Sequence, residues 1–463
     1  MPYNFIRHQR DQAFLLPEDM RDWLPDGDLA LFVIDLVEEM DLSSFYARYR
    51  ADGWGRAAYE PSAMVALILY AYCLGERSSR RIEKLCARDA GFRVVAGNLI
   101  PDHSTISRFR KEFEAELKEL FGMVLGLCAE AGMVKPGLLA VDGTKLKASA
   151  SLDANRSHAS LKEEYEEMAK RILEEAERID AEEDLLYGPD KRGDEVPEEM
   201  RDHERRRRWI AERIKELDEK ADRLEGEQRD KVEKRKEDDE AGKRRPGRRP
   251  LDPGQVRDRF LAKAKVNTTD PDSRIMKGPK GYLQGYNTQV ATTEDQVIVA
   301  ASLTNEEADW DLLHPLIECA EENLRKAGVK EKIETVVADA GYASEANLIV
   351  AEESEVTFFI ALEKDRLQAV ELSRSPLAPD GIPQGLNSFE RMRYRLKTQE
   401  GREAYSKRGI TVEPIFGQLK DGRGFERFMR RGLKACDSEW SLMCTTHNLM
   451  KLFRWKVALG FSG

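Results

Sequence analysis

Residues 161–250 carry 25 basic and 31 acidic side chains in 90 positions, and a stretch so charged cannot bury a core of its own. The packed parts of the chain must therefore come from residues 1–160 and 251–463. Inside the charged stretch, Tyr165, Met168, Ile172, Ala176 and Ile179 form one apolar stripe, and Ile210, Ile214, Leu217, Ala221 and Leu224 form another. The break YGPDKRGDEVP separates them, so the spacing predicts two helices paired as a hairpin or coiled coil that projects from the body. The stretch closes on GKRRPGRRP, too polar and too broken to pack, which reads as a basic strap that either solubilises the chain or rests on phosphate.

The whole chain has 463 residues, 75 Lys+Arg against 86 Asp+Glu, and a net charge of -11. That balance excludes a uniformly basic coat, so any polyanion must meet a local patch. A 41% share of hydrophobic residues suffices for two or three domain cores. The longest apolar run, Ala63 to Gly75, falls short of the roughly 20 residues that a bilayer crossing needs. MPYNFIRHQRDQAF lacks the apolar core of a secretory signal, and a cytoplasmic location is expected. Cys73, Cys86, Cys128, Cys319, Cys436 and Cys444 stand singly, without zinc-ligand spacing, and are expected to be reduced and mostly buried. No Walker loop, dinucleotide-binding glycine fingerprint or G-x-S-x-G elbow occurs, so no nucleotide cofactor is indicated.

Residues 1–135 read as helical. Pro61 opens an apolar helix, SSRRIEKLCARD forms a short amphipathic one, and a long helix starts near Ser104 with Ile106, Phe109, Phe113, Leu117, Leu120, Phe121 and Val124 on one face. Residues 76–115 hold nine basic and six acidic side chains. Two helices joined by a turn, the second beginning STISRFR, suggest a helix-turn-helix whose leading end enters a major groove. The alternative is a plain helical hairpin with a solvated charged face.

From Gly137 the pattern changes. LLAVDG, YNTQVATT, QVIVAASLT, IETVVADAG and VTFFIAL read as strands, and Trp310 to Gly328 and Ser344 to Glu353 as helices. Three strands followed by strand–helix alternation predict a mixed sheet covered by helices.

Asp142 closes the apolar run LLAVD, with Gly143 expected to relax the backbone beside it, and Asp339 repeats the arrangement in VVADAG. Ligands collect at the carboxyl edges of strands in open α/β sheets, and two acids there need a cation to offset their repulsion. Each aspartate alone could equally be a turn or helix-cap residue. Glu413, in KRGITVEPIFGQLK, is the third candidate acid. Pro414 suits a first helical turn, which would set Glu413 at the positive end of the macrodipole and bring Lys420 onto its face two turns later. His103 and His447 have no catalytic partner in sequence and read as capping or buried hydrogen-bonding residues.

With these residues in view the chain resembles the DDE-type transposases of bacterial insertion sequences. VDGTKLKA, DPDSRIMKGPKGYLQGYN, VVADAGYAS and the Tyr405, Arg408, Glu413, Lys420 cluster carry the resemblance, together with YEPSAMVALILYAYCLGERSSRRIEKL and PDHSTISRFR. One spacing departs from the pattern of related families: four residues rather than three separate Arg408 from Glu413. With Gly409 in that gap, Tyr405 and Arg408 are expected to lie on a different helical segment from Glu413.

The resemblance implies an α/β fold: a ribonuclease H-like mixed sheet flanked by helices, with an all-helical N-terminal domain and a charged helical, coiled-coil-like insertion. The implied division is residues 1–135 for DNA-end binding, 136–160 for the first part of the catalytic core, 161–250 for the insertion, and 251–463 for the rest of the core and C-terminal helices. It also implies that Asp142, Asp339 and Glu413 bind two Mg²⁺, with Mn²⁺ able to substitute, for in-line phosphodiester chemistry. Water attacks first, and the freed 3′ hydroxyl then attacks target DNA. The implied partners are double-stranded DNA, as terminal inverted repeats and as target, and a second copy of the chain in the synaptic complex. DNA contacts would come from Arg108, Arg110, Lys111, Lys145, Lys147, Lys277, Lys280, Tyr405, Arg408 and Lys420. Residues 401–463, with twelve basic and six acidic side chains, would supply the local patch, to which Arg423, Arg427, Arg430 and Arg431 belong unless they form a solvated helix face. The other readings are a nuclease on the same core without strand transfer, and a non-catalytic DNA-binding or coiled-coil scaffold.

Overall fold

The computed structural model describes residues 19–49, 57–159, 203–240, 250–278, 281–379 and 381–460. Five of its strands fall on the five apolar runs read from the sequence. They are β1 (Leu138–Lys147), β5 (Gly281–Thr293), β6 (Ile298–Thr304), β7 (Thr335–Ala338) and β8 (Thr357–Ile360), and the additional short strands are β2 (Asn155–Ser157), β3 (Lys265–Asn267) and β4 (Arg274–Gly278).

The main sheet is mixed. β1 runs antiparallel to β5, β5 antiparallel to both β4 and β6, and β1, β7 and β8 are mutually parallel in the order β1-β7-β8. The parallel half needs crossovers, and helices Leu313–Lys326 and Glu345–Glu353 occupy those connections. Ser344 caps the second by accepting from the Asn347 N–H at 3.2 Å. The charged stretch leaves after β2 and returns before β3, and these two pair antiparallel. Its two ends are thereby pinned together, which is how the main sheet survives the interruption.

The first apolar stripe of the charged stretch and the basic strap lie outside the described residues. The second stripe belongs to helix His203–Glu240, where Ile210 and Ala221 are buried. Its described partner is helix Pro253–Lys263, tied to it by Arg257 on Asp222 at 2.8 Å.

The N-terminal region is helical as expected, with one correction. The long helix expected from Ser104 is two helices, His103–Glu112 and Glu114–Glu130, separated at Phe113, whose φ of -108° and ψ of 30° leave the helical basin. Phe113 still stacks on Phe45, centroids 5.4 Å apart, so the apolar periodicity records a shared core and not one straight rod. Another short helix, Ala90–Val95, stands between Ser79–Arg88 and His103–Glu112.

The C-terminal helix Leu433–Ala458 packs against Glu114–Glu130, Pro61–Cys73 and β6 together. Its Asn448 amide accepts from the Ile298 N–H and donates to the Ile298 carbonyl at 2.9 and 2.8 Å. One apolar cluster consequently runs from Ala30 through Leu139 to Leu452, with Trp440, Leu442 and Leu449 inside it. Five of the six cysteines are buried, and all six are free. No helix among the described residues is long and apolar enough to cross a membrane.

Candidate functional site

Val141 pairs with Ala338 where β1 and β7 run side by side, and the residues that follow are Asp142, still on β1, and Asp339, just past the end of β7. Parallel register thus sets two carboxylates next to each other at the carboxyl edge of the sheet. β1 continues past this point to Lys147 on its pairing with β5, so Asp142 marks the end of the parallel partner and not the end of its own strand. Gly143 serves close approach: a Cβ there would fall 2.3 Å from the Gln289 amide nitrogen.

Asp142 accepts from the Gly143 N–H at 2.7 Å and from the Arg408 guanidinium at 3.1 Å. Burial, opposed by Arg408 and reinforced by Asp339, pushes its carboxyl up to about 7. Asp339 is also raised, first by burial and further by Asp309 and Asp365, although it accepts from the Gly341 N–H at 2.9 Å.

Two further acids complete the cluster. Asp309 accepts on one oxygen from Lys145 at 3.1 Å, Asn287 at 2.7 Å and Gln289 at 2.8 Å. Asp365 follows β8, the third parallel strand, and takes the Tyr405 hydroxyl at 2.7 Å and the other arm of Arg408. Sequence reading missed both. Asp365 carried the available signal, an acid shortly after the apolar strand VTFFIAL, whereas Asp309 sits among several other acids in the polar stretch TNEEADWD, where nothing singles it out.

The third expected acid is placed differently from the expectation. Gln399–Gly417 is one helix carrying Tyr405, Arg408 and Glu413 together, so the expected break at Gly409 does not occur. Pro414 lies inside this helix, near its C-terminal end, and Glu413 is at the negative end of the macrodipole rather than the positive one. The proline is tolerated because the carbonyl it leaves without a helical donor, that of Ile410, receives the Gln296 amide at 3.1 Å. Arg408 is buried against the sheet while Glu413 is exposed. At 100° per residue the four-residue gap turns Glu413 about 140° from Arg408, where a three-residue gap would have turned it about 40°. The Glu413 carboxylate folds over Gly409, 3.5 Å from where a Cβ would stand.

The donor chemistry at Asp142 and Asp339, paired hard oxygens whose ionisation is resisted, fits a divalent cation such as Mg²⁺. Glu413 is exposed on its helix, and among the described residues no group of three or more His, Cys, Asp or Glu side chains is arranged to hold a metal.

The cations divide into three sets. Lys420, in the π-helical turn Gln418–Gly422, docks on β1 beside Asp142, donating to Thr144 Oγ1 at 2.5 Å, and burial lowers its ammonium. Arg408 and Lys145 are likewise engaged within the cluster. Arg108, Lys111, Lys147 and Lys277 are exposed, and Lys280 lies outside the described residues. Arg110 is a correction: it is 2% exposed, and its guanidinium holds the Arg77 carbonyl at 2.7 Å and Ser79 Oγ, so it braces the helices and is not free to meet DNA.

The arginines of the 423–431 segment are neither a free patch nor a solvated helix face. Arg427, Arg430 and Arg431 are buried, with Arg430 on Glu114 at 2.5 Å and Arg431 on the Ser149 carbonyl at 2.8 Å. Arg423 stacks on Phe425 and donates to Thr446 at 3.1 Å. His447 is buried against the Gln296 carbonyl at 3.0 Å, and its pKa is pushed down to about 3 by burial. His103 pairs with Glu83 at 2.9 Å.

A helical N-terminal region joined to a mixed α/β sheet with paired carboxylates at its parallel edge defines a class of proteins, and comparison with known families narrows it. The transposase domain DUF772 matches residues 18–112, and a transposase DDE domain matches residues 385–453. Over these two stretches, one toward each end, the chain is similar to insertion-sequence DDE transposases. The second match spans Tyr405, Arg408, Glu413 and Lys420, while Asp142 and Asp339 lie outside both. No curated protein and no solved structure matches the chain.

Proposed function

We propose that the chain is a metal-dependent DNA transposase with Asp142, Asp339 and Glu413 as its acids. The observation that carries this reading is the placement of Asp142 and Asp339 directly after the last β1–β7 pair, Val141 and Ala338, at the edge of a sheet, in a chain flanked by two transposase-domain matches. Three antiparallel strands leading into two further parallel ones support a ribonuclease H-like core. The division into residues 1–135, 136–160, 161–250 and 251–463 follows from that assignment. Mg²⁺, or Mn²⁺ in its place, would be held by Asp142 and Asp339, with Glu413 as the third acid, and would polarise phosphodiester oxygens when bound.

The chain's own groups do the rest. Arg408 and Tyr405 meet the DNA backbone next to the acids, and Lys420, on Thr144, holds a neighbouring phosphate. A cleft of about 560 Å³ lined by Arg77, Lys147, Lys420 and Arg423 runs between the helical region and the sheet and supports a path for the strand. Arg108 and Lys111, exposed on helix His103–Glu112, meet the terminal inverted repeat, with Lys145 and Lys277 nearer the core. Two copies of the chain pair two ends, hydrolysis frees a 3′ hydroxyl, and that hydroxyl attacks target DNA.

Purified protein is incubated with a supercoiled donor carrying the element's ends, with Mg²⁺ and then with chelator. Nicking and joined products are expected from the parent chain. Asp142→Asn, Asp339→Asn and Glu413→Gln should each abolish both while end binding persists. Nicks without joined products would indicate a nuclease. The outward side chain of Glu413 favours the competing reading of a non-catalytic DNA-binding relative, for which a silent parent chain would decide, whereas full activity of Glu413→Gln would decide against the three-acid assignment.

A further inference from the structure

Arg408 and Tyr405 point their polar atoms at an acid of the chain itself. One guanidinium arm meets Asp142 at 3.1 Å, the other meets Asp365, and the Tyr405 hydroxyl donates to the second Asp365 oxygen at 2.7 Å. Arg408 is buried, whereas the Asp365 side chain is 53% exposed. Asp365 is the first residue of helix Asp365–Arg374, directly after its N-cap Lys364. Both its oxygens are spent on Tyr405 and Arg408. A carboxylate that accepts from an arginine on one oxygen and from a hydroxyl on the other occupies the donor pair that two non-bridging oxygens of a phosphodiester would take.

We infer that Tyr405 and Arg408 form a phosphate subsite beside Asp142 and that Asp365 is the internal anion filling it until a DNA backbone phosphate displaces it. This rests on the transposase reading, and it adds a residue that sets how strongly the chain holds DNA. Displacement is feasible because the carboxylate is half open to water: once released, Asp365 is resolvated, while buried Arg408 always needs an anion. The exchange conserves the charge at Arg408. It also predicts that the parent chain binds DNA more weakly than its cations allow, since each phosphate contact must first break an internal one.

The test measures binding of a mixed-sequence linear duplex in chelator over a range of salt, for the parent, Asp365→Asn, Asp365→Ala and Glu363→Gln. Glu363 is an exposed neighbour, and its replacement makes the same change in net charge without touching Arg408. Both Asp365 variants are expected to bind more tightly and to steepen the salt dependence by about 0.9 in log–log slope. Their advantage over the parent then grows about 3.5-fold for each fourfold drop in salt. In an Arg408→Gln background the same replacements should gain no more than Glu363→Gln does. Asp365→Ala covers the case in which the asparagine amide still holds Arg408, and melting curves show that each variant is folded. Binding that is unchanged or weaker, a gain equal to that of Glu363→Gln, or a gain that survives without Arg408 would overturn the inference while leaving the transposase reading intact. A folded parent that binds no duplex at all would overturn the transposase reading, and the subsite with it.

Discussion

Two groups of buried charge hold this molecule together, and they are balanced in opposite ways. The first joins the N-terminal helices to the C-terminal helix. Glu439, wholly buried, accepts from Arg77 at 3.2 Å and from the Met429 and Arg430 backbone N–H groups at 3.0 Å, and Arg430 answers Glu114. Each charge there meets an opposite charge, Glu114 having Lys434 at 3.6 Å as well, and the Glu439 oxygens also meet backbone donors. The second lies at the sheet edge, where the four acids Asp142, Asp339, Asp365 and Asp309 face three cations, Arg408, Lys145 and, beside Asp142, Lys420. Burial first, with the neighbouring acids adding to it against the pull of Arg408, raises the carboxyls of Asp142 and Asp339. A balanced cluster clamps two regions together, whereas an unbalanced one, kept under strain, is a place for a cation.

The largest expected effect falls on the balanced cluster. Glu439→Gln leaves Arg77 buried without a counter-charge, and a broken buried pair costs about 3–5 kcal/mol. Chemical denaturation should show that loss. A variant within about 1 kcal/mol of the parent would mean that Glu439 is not the clamp, and the contrast between the clusters would collapse.

The unbalanced cluster should respond with the opposite sign. The folded-state pKa of Asp142, about 7, stands above the ordinary value of 3.8. Its contribution to stability is therefore fully present below pH 3.8 and is lost as pH rises through about 7. Asp142→Asn fixes the neutral form and escapes that loss. In chelator, the melting temperature of Asp142→Asn minus that of the parent should climb between about pH 4 and 7 and level off above. A difference that stays flat with pH would remove Asp142 from the repelling set.

The two clusters differed as much in how far sequence could reveal them. Asp142 and Asp339 were legible because a buried parallel strand is a run of apolar residues and its carboxyl edge is where the run stops. β8 was legible for the same reason, and β5 and β6, which are antiparallel, from their β-branched residues. The clamp was not, because Arg77, Glu114, Arg430 and Glu439 are separated by up to 362 positions and nothing local distinguishes a buried arginine from a solvated one. Arg110 was misread on that ground, as were the arginines of the 423–431 segment. Glu413 was half legible: its helix was found, but Gly409 looked like a break and Pro414 like the start of a new helix. What carries the helix through is the Gln296 amide on the Ile410 carbonyl, a partner 114 residues away that no propensity records.

Glu413 supplies the smallest expected effect and the finest discrimination between the clusters. It is exposed and stands about 140° around its helix from Arg408, so in the metal-free chain it belongs to neither. Glu413→Gln should then change stability by no more than about 0.5 kcal/mol at any pH, as substitutions at open surface sites do. Asp142→Asn, one residue beyond the last pair of β1 and β7, should by contrast show the full pH-dependent gain. If Glu413→Gln instead raised the melting temperature at high pH in parallel with Asp142→Asn, its carboxylate would already share the field of the sheet-edge acids before any cation or DNA arrives. The trio would then be an arrangement the chain visits unaided. If it stayed flat, the approach of Glu413 to Asp142 and Asp339 would have to be supplied by DNA or metal.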